Sequence, residues 1–100
     1  MENNKKLISI VSPAYNEFEN IPLMVEEVKK VMGKLSDKYD FEYILVNDGS
    51  TDNTWEAIGN ESKKDERIKG LCFSRNFGHQ MALTAGLDNA KGDAVIYCDS

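Results

Sequence analysis

Acidic and hydroxyl side chains are concentrated in one short stretch of the sequence, VNDGSTDNT at residues 46–54, which begins where an apolar run ends. A turn needs only one or two such residues: Gly49 suits a tight turn, and Ser50 or Thr51 suits the cap of a following helix. Asp48 is harder to explain in this way, because a carboxylate at the end of an apolar strand is costly unless hydrogen bonds compensate it. The pattern therefore favours a binding role for Asp48 and a structural role for its neighbours.

Polar residues also follow three other apolar runs, as SPAYNE at 12–17, SRNFGHQ at 74–80 and DS at 99–100. A turn before a capped helix accounts for most of the first segment but leaves Glu17 unexplained. In the second segment, Arg75 and His79 suit contacts with a phosphate or an acceptor, although a lone histidine at a helix start is more often a capping or packing residue. Four polar segments after four apolar runs predict a polar rim at one edge of the fold.

The runs that precede these segments are short, rich in β-branched or aromatic residues and bounded by turn residues, which predicts strands at 6–12, 41–47, 68–74 and 93–99. Helical spacing predicts three helices between them. The first follows an Asn20 cap with Pro22 in its first turn, the second spans about 52–63 behind Ser50 or Thr51, and the third spans about 80–90. The predicted inward-facing residues are Ile21, Met24, Val28, Val31 and Leu35, then Trp55 and Ile58, then Leu83, Leu87 and Ala90.

Strands that alternate with helices indicate an α/β fold, a Rossmann-like doubly wound parallel sheet, with residues 1–100 in one domain. Right-handed crossovers leave few topologies, and we expect the strand order 3-2-1-4. Strands 1 and 4 are then neighbours where the winding reverses, and ligands of such sheets bind beyond the carboxyl ends of the strands at that point.

Composition excludes several classes of protein. The net charge of −5 argues against nucleic acid as a partner, because nucleic-acid-binding proteins usually carry a basic face. No apolar run reaches the length of a membrane span, and the start MENNKK does not resemble a signal peptide, so we expect a soluble, cytoplasmic chain. Cys72 and Cys98 lie in apolar runs far apart in the sequence, which predicts two buried free thiols.

Two nucleotide-binding signatures are absent from the sequence. No G-x-G-x-x-G follows the first strand, and G-x-x-x-x-G-K-[ST] occurs nowhere. A glycine-rich backbone cradle for phosphates is therefore not expected. A divalent cation held by carboxylates is the other common way to bind a diphosphate.

The segments ISIVSPAYNEFENI, ILVNDGSTDNTW and FSRNFGHQMALTAGLDNAKGDAVIYCDS together resemble the N-terminal half of the inverting family 2 glycosyltransferases with the GT-A fold. Within that family they are most similar to the branch that transfers a sugar to polyprenyl or dolichyl phosphate. The resemblance spans residues 7–100, and its motifs follow the strands in the expected order. It implies a donor that is a nucleotide-diphosphate sugar, UDP- or GDP-linked, and polyprenyl phosphate as the acceptor.

The resemblance also implies roles for individual residues. Pro13, Tyr15 and Glu17 should line the nucleotide pocket. Asp48 should accept a hydrogen bond from a base N–H, with Val46 beside the base.

Asp99 should begin the D-x-D motif, whose carboxylates contact the ribose and hold Mg²⁺ or Mn²⁺, and the partner acid is expected beyond Ser100. The resemblance places the catalytic base, the acceptor site and the membrane contact beyond residue 100 as well. We therefore expect the full-length protein to act at the cytoplasmic face of a membrane, and the 100-residue chain to be inactive by itself and to self-associate through its last strand.

Two alternatives remain. A sugar-1-phosphate nucleotidyltransferase shares the substrate class and much of the fold, but SPAYNE lacks the glycine-rich loop with arginine that such an enzyme needs. A non-catalytic nucleotide-binding or interaction module of the same fold is also compatible with these residues. The identity of the sugar and of the base is not encoded in the motifs.

Overall fold

A parallel sheet with helices on both faces organises residues 5–98, the part of the chain that the computed structural model describes. Its elements in chain order are β1 Lys6–Ala14, α1 Ile21–Leu35, β2 Tyr39–Asn47, α2 Thr54–Lys64, β3 Ile68–Cys72, α3 His79–Asn89 and β4 Ala94–Tyr97. No helix in this part of the chain is both long enough and apolar enough to cross a lipid bilayer.

The order of the strands is β3-β2-β1-β4, and every pair is parallel, as predicted. β1 and β2 pair along their full length, from Lys6 opposite Tyr39 to Ala14 opposite Asn47. Within the described part of the chain, β4 pairs with β1 alone and forms one edge of the sheet. The carboxyl ends of β1, β2 and β3 therefore meet at one edge, which we call the carboxyl edge.

The two faces of the sheet carry separate apolar clusters. On the face covered by α1 and α2, Ile10 and Leu45 pack with residues of both helices such as Val25 and Ile58. On the opposite face, the smaller cluster of Val11, Ile44, Val46 and Ala82 packs beneath α3. Successive residues of β1 and β2 belong alternately to the two clusters, because successive side chains of a strand point to opposite faces.

The predicted core stripe of α1 is partly wrong. Ile21 and Val28 are buried, but Val31 and Leu35 are 48% and 40% exposed, and the helix buries Val25 and Met32 instead. Both stripes satisfy the 3-4 spacing, so the rotation of the helix against the sheet decides between them. Asn20 does precede the first helical residue as predicted, although its side chain makes no capping bond.

The inward orientation predicted for Trp55 and Leu87 is also wrong. Ile58 is buried as expected, but Trp55 is 43% exposed. The Trp55 ring lies over Gly70, where the absence of a side chain leaves room for it. On α3, Leu83 and Ala90 pack partly buried against the sheet, whereas Leu87 is 48% exposed. Small residues form most of the contact between α3 and the sheet instead. Ala82 is fully buried, and a Cβ added to Gly86 would lie 2.3 Å from Cγ1 of Val11.

Both cysteines are free thiols as predicted, but the prediction that they are buried is wrong. Cys72 is exposed at the end of the edge strand β3, and Cys98 is half-buried just after β4. β3 and β4 are the two edges of the sheet, so the strands lie three places apart, too far for a disulfide. The apolar runs that suggested burial belong to edge strands, which are covered less completely than central ones.

Candidate functional site

The loops after β1 and β2 are joined at the carboxyl edge by hydrogen bonds around Asn16. Its backbone adopts a left-handed conformation with φ of 53°, and its N–H donates to Oγ of Ser50 over 2.9 Å. Its side-chain oxygen accepts bonds from the backbone N–H and the hydroxyl of Thr51, at 2.9 and 3.3 Å. Asparagine tolerates this backbone conformation better than most residues, so Asn16 can both turn the chain and bind the next loop.

Asp52 and Thr54 make the second half of the same junction. The backbone N–H of Glu17 donates to Oγ1 of Thr54 at 2.9 Å, and that of Phe18 donates to Oδ2 of Asp52 at 3.4 Å. Oδ1 of Asp52 accepts from the backbone N–H and from the hydroxyl of Thr54. The hydrogen bond from the Thr54 hydroxyl is the main reason that the pKa of Asp52 lies below its ordinary value.

These contacts explain most of the polar stretch at 46–54. Ser50, Thr51, Asp52 and Thr54 hold the loop after β1, so the expectation that Ser50 or Thr51 caps α2 is wrong. The helix begins at Thr54, after Asn53, because the two hydroxyl side chains bond to Asn16 instead.

Asp48 serves the third loop of the edge, the one after β3. The carboxylate is buried and accepts bonds from the backbone N–H of Phe77 at 2.8 Å and of Gly78 at 3.0 Å. Nδ2 of Asn76 donates to the same carboxylate at 3.1 Å. The hydrogen bonds that the sequence required of Asp48 are therefore supplied from within the chain.

The structure brings four of the predicted nucleotide-site residues together. Pro13 lies opposite Val46 in the β1–β2 register, and the backbone N–H of Asp48 donates to Ala14 at 2.9 Å. Tyr15 follows directly and is 46% exposed at the carboxyl edge.

Glu17 and Val46 have surroundings that differ from each other. Glu17 is partly buried, and its Oε1 accepts a bond from Nδ2 of Asn20 at 2.9 Å. The Val46 side chain is fully buried beneath α3, so it supports the carboxyl edge by packing inside the fold. Asp99 lies outside the described residues.

The carboxyl edge is acidic with one strong positive charge. Among the described loops that follow β1, β2 and β3, Arg75 is the one lysine or arginine, and the carboxylates are those of Glu17, Glu19, Asp48 and Asp52. The guanidinium of Arg75 lies 4.8 Å from the ring centre of Phe77, which in turn packs edge-on against Phe73. A diphosphate at this edge would need a cation beside it, either Arg75 or a metal ion.

Within residues 5–98, no group of three or more histidine, cysteine, aspartate or glutamate side chains is close enough to share a metal ion. Asp48 and Asp52 each turn their oxygens toward N–H and O–H donors of the chain. The predicted metal ligand, Asp99, is outside the described range, so the fit of Mg²⁺ or Mn²⁺ stays a prediction.

Sequence reasoning missed a buried ionic cluster on the α3 face of the sheet. Glu42 is 2% exposed and accepts bonds from Oγ of Ser9 at 2.5 Å, Nζ of Lys69 at 2.9 Å and the backbone N–H of Lys91 at 2.7 Å. Burial raises the pKa of Glu42, but the bonds from Ser9, Lys69 and Lys91 outweigh it, and the net pKa is lowered. The sequence signal that could have predicted this cluster is a glutamate between Phe41 and Tyr43 in an apolar strand.

An apolar groove of about 620 Å³ lies between α1 and β4, and Asn20 at the end of the loop after β1 is among its lining residues. Leu23 and Val31 of α1 form one wall, and Ile96 of β4 forms the other. At its floor the hydroxyl of Tyr43 donates to Oγ of Ser12 at 2.9 Å, and burial raises the pKa of Tyr43 to about 12.

Comparison with known proteins decides the family. The model of the glycosyl transferase family 2 matches residues 9–100. This chain belongs to glycosyl transferase family 2. The matched region contains all three loops of the carboxyl edge, so the resemblance inferred from the motifs is confirmed.

Individual members of the family agree with this placement. A prophage bactoprenol glucosyl transferase homolog of Escherichia coli is 42% identical over 92 residues, which is 92% of this chain and 29% of that protein. An undecaprenyl-phosphate 4-deoxy-4-formamido-L-arabinose transferase of Aeromonas hydrophila is 38% identical over 96 residues, 95% of this chain and 29% of that protein. The chain thus spans less than a third of the length of these relatives.

A solved structure has the same fold. A mannosyltransferase from Pyrobaculum calidifontis, in complex with GDP-Man and Mn²⁺, superposes with a TM-score of 0.78 at 22% identity, over 97% of this chain and 28% of that one. The likeness confirms the expected GT-A type of α/β fold.

Proposed function

We propose that this chain is the nucleotide-sugar-binding part of a family 2 glycosyltransferase, which transfers a sugar from a UDP- or GDP-linked donor to polyprenyl phosphate. The observation that carries the proposal is the joined pair of loops after β1 and β2, in a chain that matches the family model. The two relatives named above are a bactoprenol and an undecaprenyl-phosphate transferase, which supports the acceptor class.

The nucleotide would lie on the carboxyl edge, beside the first two loops. The exposed ring of Tyr15 offers a face on which a base can stack, since every nucleobase has a π-face. Pro13 and Val46 support this surface from the paired strands beneath it. Glu17 and Asp48 complete the set of residues that the resemblance assigns to the nucleotide within the described part of the chain.

A divalent cation, Mg²⁺ or Mn²⁺, is part of the proposal, with Asp99 as one ligand and a second acid beyond Ser100. Such an ion would neutralise the diphosphate leaving group as a Lewis acid. The Mn²⁺ in the mannosyltransferase complex supports the choice of ion. The acidic character of the described edge is consistent with a cation beside the diphosphate.

The acceptor also implies a location. Polyprenyl phosphate is a membrane lipid, so the full-length protein would work at the cytoplasmic face of a membrane and contact it through parts that follow residue 100. The catalytic base would lie in those parts as well, and the 100-residue chain would be inactive alone.

A nucleotide titration followed by NMR tests the binding part of the proposal. With UDP or GDP, the amide signals of residues 14–17, 48–51 and 75–78 should shift together, and Tyr15→Ala should weaken binding about tenfold or more through lost stacking. The matched control is Leu87→Ala, a similarly exposed apolar side chain near the far end of α3. Shifts confined to other regions, or equal affinities of Tyr15→Ala and the parent, would count against this site.

A further inference from the structure

The turn between α3 and β4 is held by side chains of the two central strands. Oε2 of Glu42 on β2 accepts from the backbone N–H of Lys91 at 2.7 Å. Oγ of Ser9 on β1 accepts from the backbone N–H of Gly92 at 2.8 Å, and we call these two bonds the turn anchor. The Ser9 hydroxyl donates its single proton to Glu42, so its oxygen is free to accept from Gly92. A Cβ added to Gly92 would lie 2.5 Å from the same oxygen of Ser9, so the turn is closely fitted.

The sequence of β4 determines its register against β1 only weakly. The strand is four residues long, and within residues 5–98 it pairs with β1 alone. Both of its faces are apolar, since Val95 packs beneath α3 and Ile96 lines the groove on the opposite face. A slip by one residue would exchange one apolar side chain for another, so the hydrophobic pattern does not oppose it strongly. Such a slip would move the strand by about 3.3 Å along β1.

The turn anchor gives β4 a fixed start. Directly before the strand, the N–H of Asp93 donates to the carbonyl of Leu7 at 2.7 Å, and Oδ2 of Asp93 accepts from the N–H of Leu7 at 2.9 Å. At the other end of the strand, the N–H of Cys98 donates to the carbonyl of Val11 at 2.9 Å. The position of the turn therefore determines which residue of β4 lies beside each residue of β1.

We propose that Glu42 is a positioning residue, which with Ser9 holds the turn at 91–93 and so sets the register of β4. Ser9 lies five residues before Ala14, the last residue of β1, so the turn anchor is about 16 Å from the carboxyl edge and cannot contact a ligand there. β4 leads in the sequence to Asp99, which the resemblance assigns to the nucleotide. The expected effect on donor binding rests on the proposed function, but the effect on β4 does not.

Amide hydrogen exchange in the full-length gene product, without ligand and with individual amides resolved, tests the effect on β4. Glu42→Leu replaces the carboxylate by an apolar side chain. The amides of Lys91 and Cys98 should then exchange about tenfold faster or more, because a bond to a charged acceptor is lost and the strand loses its fixed start. The Phe73 amide, which donates to Asn47 at 2.9 Å beside the other edge strand, is the internal reference and should not change.

Two results of this experiment would overturn the proposal. Faster exchange at Lys91 without a change at Cys98 would mean that Glu42 holds the turn but not the strand. Equal acceleration at Cys98 and Phe73 would mean that Glu42 only stabilises the fold as a whole.

Glu42→Gln separates the hydrogen bonds of the turn anchor from the charge. The amide oxygen can take the place of Oε2 and accept from Ser9 and Lys91. The NH₂ group then faces Lys69, whose side chain is 49% exposed and can move into solvent. This variant should keep the exchange rates of Lys91 and Cys98 within about threefold of the parent. Acceleration as large as in Glu42→Leu would contradict the hydrogen-bonded anchor.

Ser9→Ala keeps the test decisive if Glu42→Leu does not fold. This small change removes the oxygen that accepts from the Gly92 amide. The amides of Gly92 and Cys98 should exchange faster than in the parent, again without a change at Phe73. Unchanged exchange at Cys98 in the folded variant would overturn the proposal.

Nucleotide titration of the full-length gene product then tests the consequence for the donor. Glu42→Leu should weaken the binding of UDP or GDP by about threefold or more, and Glu42→Gln should not. The control is Glu56→Leu, the same change on the exposed surface of α2, which should leave the affinity unchanged. Equal affinities of Glu42→Leu and the parent would overturn the link between β4 and the donor. If the parent binds neither nucleotide, the proposed function fails, and the exchange of Cys98 still decides whether Glu42 positions β4.

Discussion

Asp48 and Asp52 are four residues apart, yet their carboxylates hold two different loops. Asp48 bonds to the loop after β3, and Asp52 bonds to the loop after β1. Gly49 lies between them and allows the chain to turn from one partner to the other. At the scale of single residues, the stretch at 46–54 therefore joins three loops into one surface.

A different acid, Asp65, makes the stability of the fold depend on pH. The hydrogen bond from Arg67 is the largest cause that lowers the pKa of Asp65, from its ordinary 3.8 to about 2. Nζ of Lys29 lies 3.8 Å from the same carboxylate and adds to the effect. Because the folded pKa is below the unfolded one, this stabilisation is fully present above about pH 4 and is lost as the pH falls toward 2.

We predict that Asp65→Asn lowers the free energy of unfolding by about 1 to 2 kcal/mol near neutral pH. This is less than the free energy that corresponds to the full pKa shift, because Arg67 is 42% exposed and solvent screens the interaction. The deficit should shrink as the pH falls below about 4. Urea denaturation across this range checks it, with the exposed Asp37→Asn in the α1–β2 turn as the control. A deficit that stays constant down to about pH 2.5 would contradict the assignment.

At the scale of elements, the turn at Gly49 determines how β2 and the loop after β3 fit together. A side chain at this position would require both a left-handed backbone conformation and a displacement of the Arg75 backbone. Gly33 in α1 is the opposite case, since a Cβ added there meets nothing within 4 Å.

We predict opposite effects for the same substitution at these two glycines. Gly49→Ala should destabilise the protein by roughly 2 to 4 kcal/mol, because it combines backbone strain with a backbone clash. Gly33→Ala should stabilise it by about 0.5 to 1 kcal/mol, because alanine favours an exposed helix interior. Denaturation midpoints of both variants provide the comparison, and a neutral Gly49→Ala would show that the loop does not lie where the structure places it.

Much of this arrangement could be predicted from the sequence, but only where local chemistry decides it. The switch between strand and helix periods and the polar ends of the strands were sufficient for the strand order and for the position of the carboxyl edge. The partners of Ser50 and Asp48 could not be predicted, because capping and turn residues have the same types as residues that bond to distant loops. The same limit applies to Val31 and Trp55, whose exposure depends on how each helix is rotated against the sheet.

At the scale of the whole molecule, β4 forms an apolar edge of the sheet within residues 5–98. Among residues 5–98, β4 pairs with β1 alone, and Ile96 and Tyr97 are each 48% exposed. The apolar groove between α1 and β4 lies beside them. Open edges with apolar side chains recruit other strands, so the expected self-association belongs to this surface.

We predict that the 100-residue chain forms dimers or larger species in sedimentation velocity runs, and that Ile96→Lys shifts it toward the monomer by placing a charge at the edge. Leu87→Lys is the matched control, because Leu87 is also 48% exposed but lies on α3, away from the groove. If the two variants associate equally, β4 is not the contact surface.

Sugar transfer by the full-length gene product tests the central claim most directly. Given a labelled UDP- or GDP-linked sugar, polyprenyl phosphate and Mg²⁺ or Mn²⁺, it should move the label into the lipid-extractable fraction, and omission of the lipid phosphate or the metal should abolish the product. The 100-residue chain alone should give none, because the resemblance places the catalytic base beyond residue 100. A folded full-length protein that binds nucleotide but transfers no sugar from any donor of either class to polyprenyl phosphate would contradict the account and favour a binding module.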